Sequence, residues 1–578
     1  MRFLIAATLL ALTGVGCGGG GAARNGSGGG GTAGNGSGGA AGNGGGGGGM
    51  PGSGTGGRAT GTGGSGTGGG GPGPIVLPAA ACAPAAGGGA GKPMAPVLKV
   101  ALKNGGDEGW LGSPAVADLD GDGQNEIIAA RSAEVVVWKN DGTLRGKVRI
   151  PGSRIWAAPL VGNFVGDARL EIAAACRGTI TLLDADLKAV PGFPVTWRDE
   201  VRSLAAGDVD GDGKLEIVAG TTSDLTANGQ TDIFHVFRAD GSPQPGFPAN
   251  TTGTSGCDTA CYNHAGFDQN VAVGPIDGTG GDDIFVPQDN SYISIHQGSG
   301  VAFDANPIFN KRKKVLGVRF LHDYAEAKQG YSGAEQTSLQ AHFTNTAGAL
   351  GDLDGDGETE LVMVGSVQNV AQTERTHGVA LWVIHKDGSR PPAWEAPLHV
   401  PAYLAGLGDL GGNIVALTNQ ATLADIDPAT PGLEIVFAGF DGKIHAVTAD
   451  RKERWSFTYA TDATVLTGGV AVADLSGDGV PEIIFASYAT AAGKSSLFIV
   501  DAGGNQQEKI ALPGRGAMAV PTVADIDGDG TLEILVSLKD GDATAGSVQV
   551  FTVPKSATNC LPWPTGRANL LRSGYVRR

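Results

Sequence analysis

Four segments of this chain place carboxylates at positions 1, 3, 5 and 9 of a nine-residue run. They are Asp118, Asp120, Asp122 and Glu126; Asp208, Asp210, Asp212 and Glu216; Asp352, Asp354, Asp356 and Glu360; and Asp525, Asp527, Asp529 and Glu533. A fifth run, Asp474, Ser476, Asp478 and Glu482, exchanges its second acid for a hydroxyl. Glycine at positions 4 and 6 of every run lets the backbone turn tightly enough for the side chains to converge. Position 7, held by Gln124, Lys214, Glu358, Val480 and Thr531, is expected to add a backbone carbonyl. Hard oxygen donors around one centre suit calcium, about four to five ions in all. Magnesium demands stricter octahedral geometry, and zinc or copper would want His or Cys, which the loops lack. The acids packed into these turns would also repel one another without cations. An EF-hand would need Glu at position 12, where the four full runs hold Ala129, Ala219, Met363 and Val536.

The flanks of the loops show what must position them. Each loop follows two or three apolar residues and leads into a short β-branched run, as in Glu126-Ile127-Ile128-Ala129 and Glu533-Ile534-Leu535-Val536. Three degraded copies begin at Asn163, Pro275 and Asp425, and the first two are expected to be structural turns only. Starts at residues 118, 163, 208, 275, 352, 425, 474 and 525 lie 45 to 77 residues apart. After each loop come further short strands and glycine turns, such as Glu134 to Trp138, Asn140-Asp141-Gly142 and Lys147 to Ile150. Four antiparallel strands per repeat make one blade of a propeller. The expected fold is therefore all-β, a β-propeller of four-stranded blades with eight blades favoured and seven the alternative.

Loops and spacing together resemble the FG-GAP repeat family, related to the propeller of integrin alpha chains and grouped with VCBS-type repeats. The resemblance covers about residues 95 to 575 and implies calcium held in the blade loops. Such repeats occur in adhesins, lectin-like modules and lyases, so the resemblance is specific for fold and weak for function.

The rest of the chain bounds where this ring works. Residues 1–16 form a short basic start and an apolar stretch, Phe3 to Leu12, too short to span a bilayer and suited to a signal peptide. The residues before Cys17 resemble the lipobox of bacterial lipoproteins, which implies lipidation at Cys17; ordinary cleavage and secretion is the alternative. Residues 17–77 read as a flexible tether, since 33 of the 100 glycines fall within 18–74. The propeller is assigned to 78–578. Beyond residue 75 the chain carries 38 bases against 58 acids, a net charge of −20, which excludes nucleic acid as a partner.

Five further cysteines suggest two disulfides and a free thiol: Cys82 with Cys560, which lies in the last blade where Trp563-Pro564 and Leu570 to Val576 finish the chain, a bridge that would staple the ring shut; Cys257 with Cys261; and a buried Cys176. Insertions at about 221–270 and 296–348 must project from a face of the ring. The second holds Lys311 to Lys314, His322, Tyr324, His342 and Phe343, a basic and aromatic group. No catalytic constellation is present. The reading is an exported, calcium-stabilised cell-surface module that binds an unknown protein or glycan, held to the membrane by its N-terminal lipid. The alternative is a calcium-dependent polysaccharide lyase or hydrolase using Lys311 to Lys314 with His322 or His342.

Overall fold

The computed structural model describes residues 79–577, apart from 87, 107, 199, 223–233, 248–269, 289–291, 310–312, 316–339, 344–345, 369–377, 402–416, 418 and 559. All of them belong to the unit Gly68–Arg578. The signal peptide, the tether, Cys17, the Cys257–Cys261 pair, Lys311, Arg312, His322 and Tyr324 lie outside the described residues.

Eight antiparallel sheets follow one another along the chain and build an eight-bladed propeller. Blade 1 shows the plan: Ala115–Ala117, Glu126–Arg131, Glu134–Lys139 and Leu144–Arg149 pair in that order. The first strands of blades 2 to 8 are Leu160–Gly162, Val201–Gly207, Ala272–Gly274, Ala349–Gly351, Thr422–Ala424, Ala471–Ala473 and Thr522–Ala524. In every blade the acidic loop, full or degraded, joins the first strand to the second. The last acid of each loop, Glu126, Glu171, Glu216, Asp283, Glu360, Glu434, Glu482 or Glu533, is the first residue of that second strand.

Burial explains the residue pattern. Second strands such as Glu126–Arg131 and Glu434–Ala438 are buried along their whole length, because a neighbouring blade covers each face of the sheet. Fourth strands alternate, as in Leu144–Arg149, Glu453–Thr458 and Gln506–Ala511, since they form the outer rim. Closure uses both ends of the chain: Val97–Leu102 pairs with Gly546–Thr552 and becomes the outermost strand of blade 8. A disulfide joins Cys82 to Cys560 with a Cα–Cα distance of 5.4 Å, as expected.

The segment after Cys560 departs from expectation. Trp563, Pro564 and Leu570 to Val576 do not finish the last blade; they run through the middle of the ring. The backbone N–H groups of Val472, Val523, Val161, Ala206, Val273 and Leu350, from six different first strands, donate to carbonyls of Trp563, Pro564, Leu570, Leu571, Ser573 and Gly574 at 2.8 to 3.0 Å. Arg572 reaches the carbonyls of Ser113 and Pro114 at the entrance to blade 1. In blade 6 the N–H of Asp425 donates to Ala80, whose own N–H donates to Arg577. The physical reason is that first strands are sheet edges with unpaired backbone groups, which cost free energy when buried without partners. Close approach needs glycine: a Cβ on Gly274 would lie 3.0 Å from the Tyr575 ring, and one on Gly162 would lie 2.9 Å from Leu571. The ring axis is therefore filled with protein.

Candidate metal centres

Each loop folds by hydrogen bonds written into its own spacing. In blade 1 the Asp118 carboxylate accepts from the N–H groups of Gly121, Asp122 and Gly123, and Asp122 accepts from Gln124. The same fifth-to-seventh bond recurs at Lys214, Glu358, Val480 and Thr531. The ninth-position Glu does a second job: one oxygen of Glu126, Glu216, Glu360, Glu482 and Glu533 accepts the N–H of position 2, namely Leu119, Val209, Leu353, Leu475 and Ile526, at 2.7 to 3.2 Å. Glu171 and Glu434 do the same for Phe164 and Ile426, which explains why even degraded loops keep this acid.

Four loops bring three carboxylates together, with one oxygen from each lying within 4.8 Å of the others. In blades 1, 3 and 5 these are positions 1, 3 and 5: Asp118, Asp120 and Asp122; Asp208, Asp210 and Asp212; Asp352, Asp354 and Asp356. In blade 8 they are Asp525, Asp527 and Glu533. Asp120 Oδ1, Asp208 Oδ1 and Asp527 Oδ1 are buried and accept no hydrogen bond. A buried carboxylate oxygen without a donor is costly, and a hard cation is what such a donor set fits.

Three loops hold a base that local spacing does not reveal. On the outer strand of blade 1, Arg145 lies 2.8 Å from Asp120 and 2.6 Å from Glu126. In blade 8, Lys99 lies 2.6 Å from Asp527 and 3.0 Å from Glu533. In blade 6, Arg454 pairs with Asp427 and with Glu434, the latter at 3.0 Å. The pattern is one base bridging position 3 and the outer oxygen of the last acid. Blade 3 places Gln244 on Asp210 at 2.7 Å, with the half-exposed Arg238 at 3.4 Å. In blade 5 the nearest base is His385, 3.9 Å from Glu360. A repeat-by-repeat alignment of outer strands could have found Arg145 and Arg454, each the second residue of its strand.

Electrostatics follow from burial. Glu216 and Glu360 are pushed up to about 7, first by burial and then by the neighbouring loop carboxylates. Burial also raises Glu126 and Glu533, opposed by Arg145 and Lys99 respectively. In blade 6, burial carries Glu434 to about 7 despite Arg454.

The blade 7 loop is built differently. Asp474, Asp478 and Glu482 do not converge as a three-carboxylate cluster among the described residues. Residues 84–86 and 88–90 lie across the loop: Ala85 and Ala90 donate to the carbonyls of Gly477 and Ser476, and Asp474 and Ser476 are buried. Of the remaining expectations, Cys176 is a buried free thiol donating to the Arg154 carbonyl. Lys314 pairs with Asp304 at 2.7 Å, and Phe343 is buried against Trp382. Neither lies in an acidic loop.

Fold and loops define this chain as an eight-bladed propeller with acidic turns between the first and second strands of its blades. Residues 201–234, from the first strand of blade 3 to the first residue of its third, match the family model described as FG-GAP repeat. No curated protein matches it. Similar solved structures include BamB from Moraxella catarrhalis, at 12% identity, TM-score 0.42, and coverage of 80% of this chain and 98% of that one. The V. cholerae biofilm matrix protein Bap1 stands at 16% identity and TM-score 0.32, with 80% and 81% covered. The exotype rhamnogalacturonan lyase YesX stands at 16% and 0.45, with 83% and 80% covered. At these values the likenesses carry no functional argument. Among the described residues no helix is long and apolar enough to cross a membrane.

Proposed function

We propose that this chain is an exported β-propeller, stabilised by calcium in its acidic loops, that serves as a cell-surface binding or adhesion module for a protein or glycan. The calcium reading is carried by the undonated buried oxygens of Asp120, Asp208 and Asp527 within converging carboxylates. The residues that would hold the ions are Asp118, Asp120 and Asp122; Asp208, Asp210 and Asp212; Asp352, Asp354 and Asp356; and Asp525, Asp527 and Glu533. Bound calcium supplies positive charge that offsets carboxylate repulsion. The chain's own part is to hold the turns ready, through the fifth-to-seventh bonds and the ninth-position acid.

The binding reading is supported by where the ring is filled and where it is elaborated. Residues 563–577 occupy the axis, so recognition falls to the connecting loops. Residues 223–233 and 369–377 join second to third strands, and 248–269, 316–339 and 402–416 fall between consecutive blades. The strands before and after 223–233 and 369–377 end opposite the acidic turns of their blades. Loops on a rigid scaffold are where binding groups concentrate. Export and lipidation at Cys17 complete the proposal.

The test is a glycan array and a cell-surface pull-down with the full chain, repeated with residues 248–269 or 316–339 replaced by a short linker. Binding lost in a linker variant that melts like the parent supports the reading. Turnover of an anionic polysaccharide, abolished by His322→Ala or His342→Ala, would overturn it in favour of a lyase or hydrolase.

A further inference from the structure

Two arginines on the filled axis have no counter-charge. Arg567 and Arg572 are 1% and 0% exposed, and among the described residues neither has an ion-pair partner. Arg572 is well provided with acceptors: its nitrogens donate to the carbonyls of Pro159, Gly566, Ser113 and Pro114 and to the Thr565 hydroxyl, at 2.7 to 3.3 Å. Arg567 is not. Its Nη1 donates to Leu204 at 2.9 Å, while Nε and Nη2 are buried and donate to nothing.

The position of Arg567 is strongly determined. Its N–H donates to the Gln420 side chain beside blade 6, while its guanidinium reaches Leu204 of blade 3, so the residue spans the ring from one side to the other. Its backbone takes φ of 64°, a left-handed conformation that a non-glycine residue rarely adopts without compensation. Burying a guanidinium without acceptors is among the most expensive arrangements in a protein, and Arg does not escape the cost by losing its proton. Burial and the neighbouring Arg572 lower Arg567 only to about 9, so it stays charged at neutral pH. Two like charges in one low-dielectric interior, neither paired with a carboxylate among the described residues, require something negative or strongly dipolar.

We infer that the Nε and Nη2 edge of Arg567 holds a small inorganic anion of the halide class, chloride under ordinary conditions, on the propeller axis. A monovalent, compact anion matches the one guanidinium edge that is buried and donates to nothing. The site is independent of the acidic loops and of calcium.

The probe is bromide. Crystals of the full chain grown in sodium bromide are expected to show an anomalous peak within hydrogen-bond distance of Arg567 Nε and Nη2. In solution, melting in sodium chloride or bromide should exceed melting in sodium gluconate at equal ionic strength by about 2 °C. Arg567→Met should abolish that difference. If this variant does not fold, the crystallographic measurement on the natural chain still decides. An adventitious ion only, meaning a bromide peak elsewhere and none at Arg567, or an ordered water at Arg567 in bromide, would overturn the inference. So would equal melting in halide and gluconate.

Discussion

The acidic loops of blades 5 and 6 occupy the same place in the fold and meet their charge in opposite ways. In blade 5, Asp352, Asp354 and Asp356 converge, and the nearest base to the last acid is a histidine at 3.9 Å. In blade 6, position 5 is Ala429, and Arg454 bridges Asp427 and Glu434. One loop leaves room for an external cation and the other carries its own. Blades 1 and 8 combine both devices, with converging carboxylates and a resident base. Affinity in such sites is set largely by ligand charge, so blades 3 and 5 are expected to bind calcium most tightly, blades 1 and 8 more weakly, and blade 6 not at all.

The largest effect expected from this contrast belongs to the open loops. Asp208→Asn with Asp352→Asn should remove about 5 kcal/mol of calcium-dependent stabilisation, read by denaturant melts at calcium 100-fold above Kd, at about 2.7 kcal/mol per site. The matched pair Asp425→Asn with Asp427→Asn in blade 6 should leave the calcium dependence unchanged. An equal loss there would break the comparison.

Acidity separates the loops next. A carboxyl whose folded pKa is raised keeps its proton longer in the folded chain than in the unfolded one. Its contribution is therefore fully present below the unfolded value near 4.5 and is lost as pH rises through the folded value. With Glu216, Glu360 and Glu434 near 7 and Glu482 near 8, stability in chelator should fall between pH 5 and 8. Calcium should flatten the part due to Glu216 and Glu360 and leave that of Glu434. A melting series across this range, with calcium and with chelator, checks both.

Arg454→Met should cost about 2–3 kcal/mol in chelator, because it leaves Glu434 buried without its partner; partial exposure of Arg454 keeps the loss below that of a fully buried pair. Recovery of part of that loss by calcium, seen as a new weak site in calorimetry, would sharpen the view of Arg454 as a built-in cation. The smallest effect is expected in blade 2, whose loop keeps only Asp167 before its last acid and forms no three-carboxylate cluster among the described residues. Glu171→Ala should cost about 1–2 kcal/mol by leaving the Phe164 and Val165 N–H groups unpaired, equally with and without calcium.

Much of this contrast is visible in the sequence, though unevenly. The loops are legible because the hydrogen bonds that turn the backbone are local: position 1 accepts from position 6, and position 9 returns to position 2. Blade number followed from counting them. The bases were hidden because Arg145 and Arg454 lie 25 and 27 residues beyond their acids, and Lys99 meets Asp527 only when the ring closes. For the same reason nothing local marks Val97–Leu102 as the strand that completes the last blade. The axial segment is hidden because it has no repeat: residues 563–574 accept backbone N–H groups from the first strands of six blades, a pattern with no sequence period. Ala85 and Ala90, which donate to the Asp474 loop, are likewise placed by tertiary contact alone.

Calcium titration of the full chain by isothermal calorimetry, paired with melting in calcium and in chelator, tests the central claim most directly. Two tight sites and two weaker ones are expected, with a melting temperature that falls on chelation. No heat of binding together with an unchanged melting temperature would contradict it.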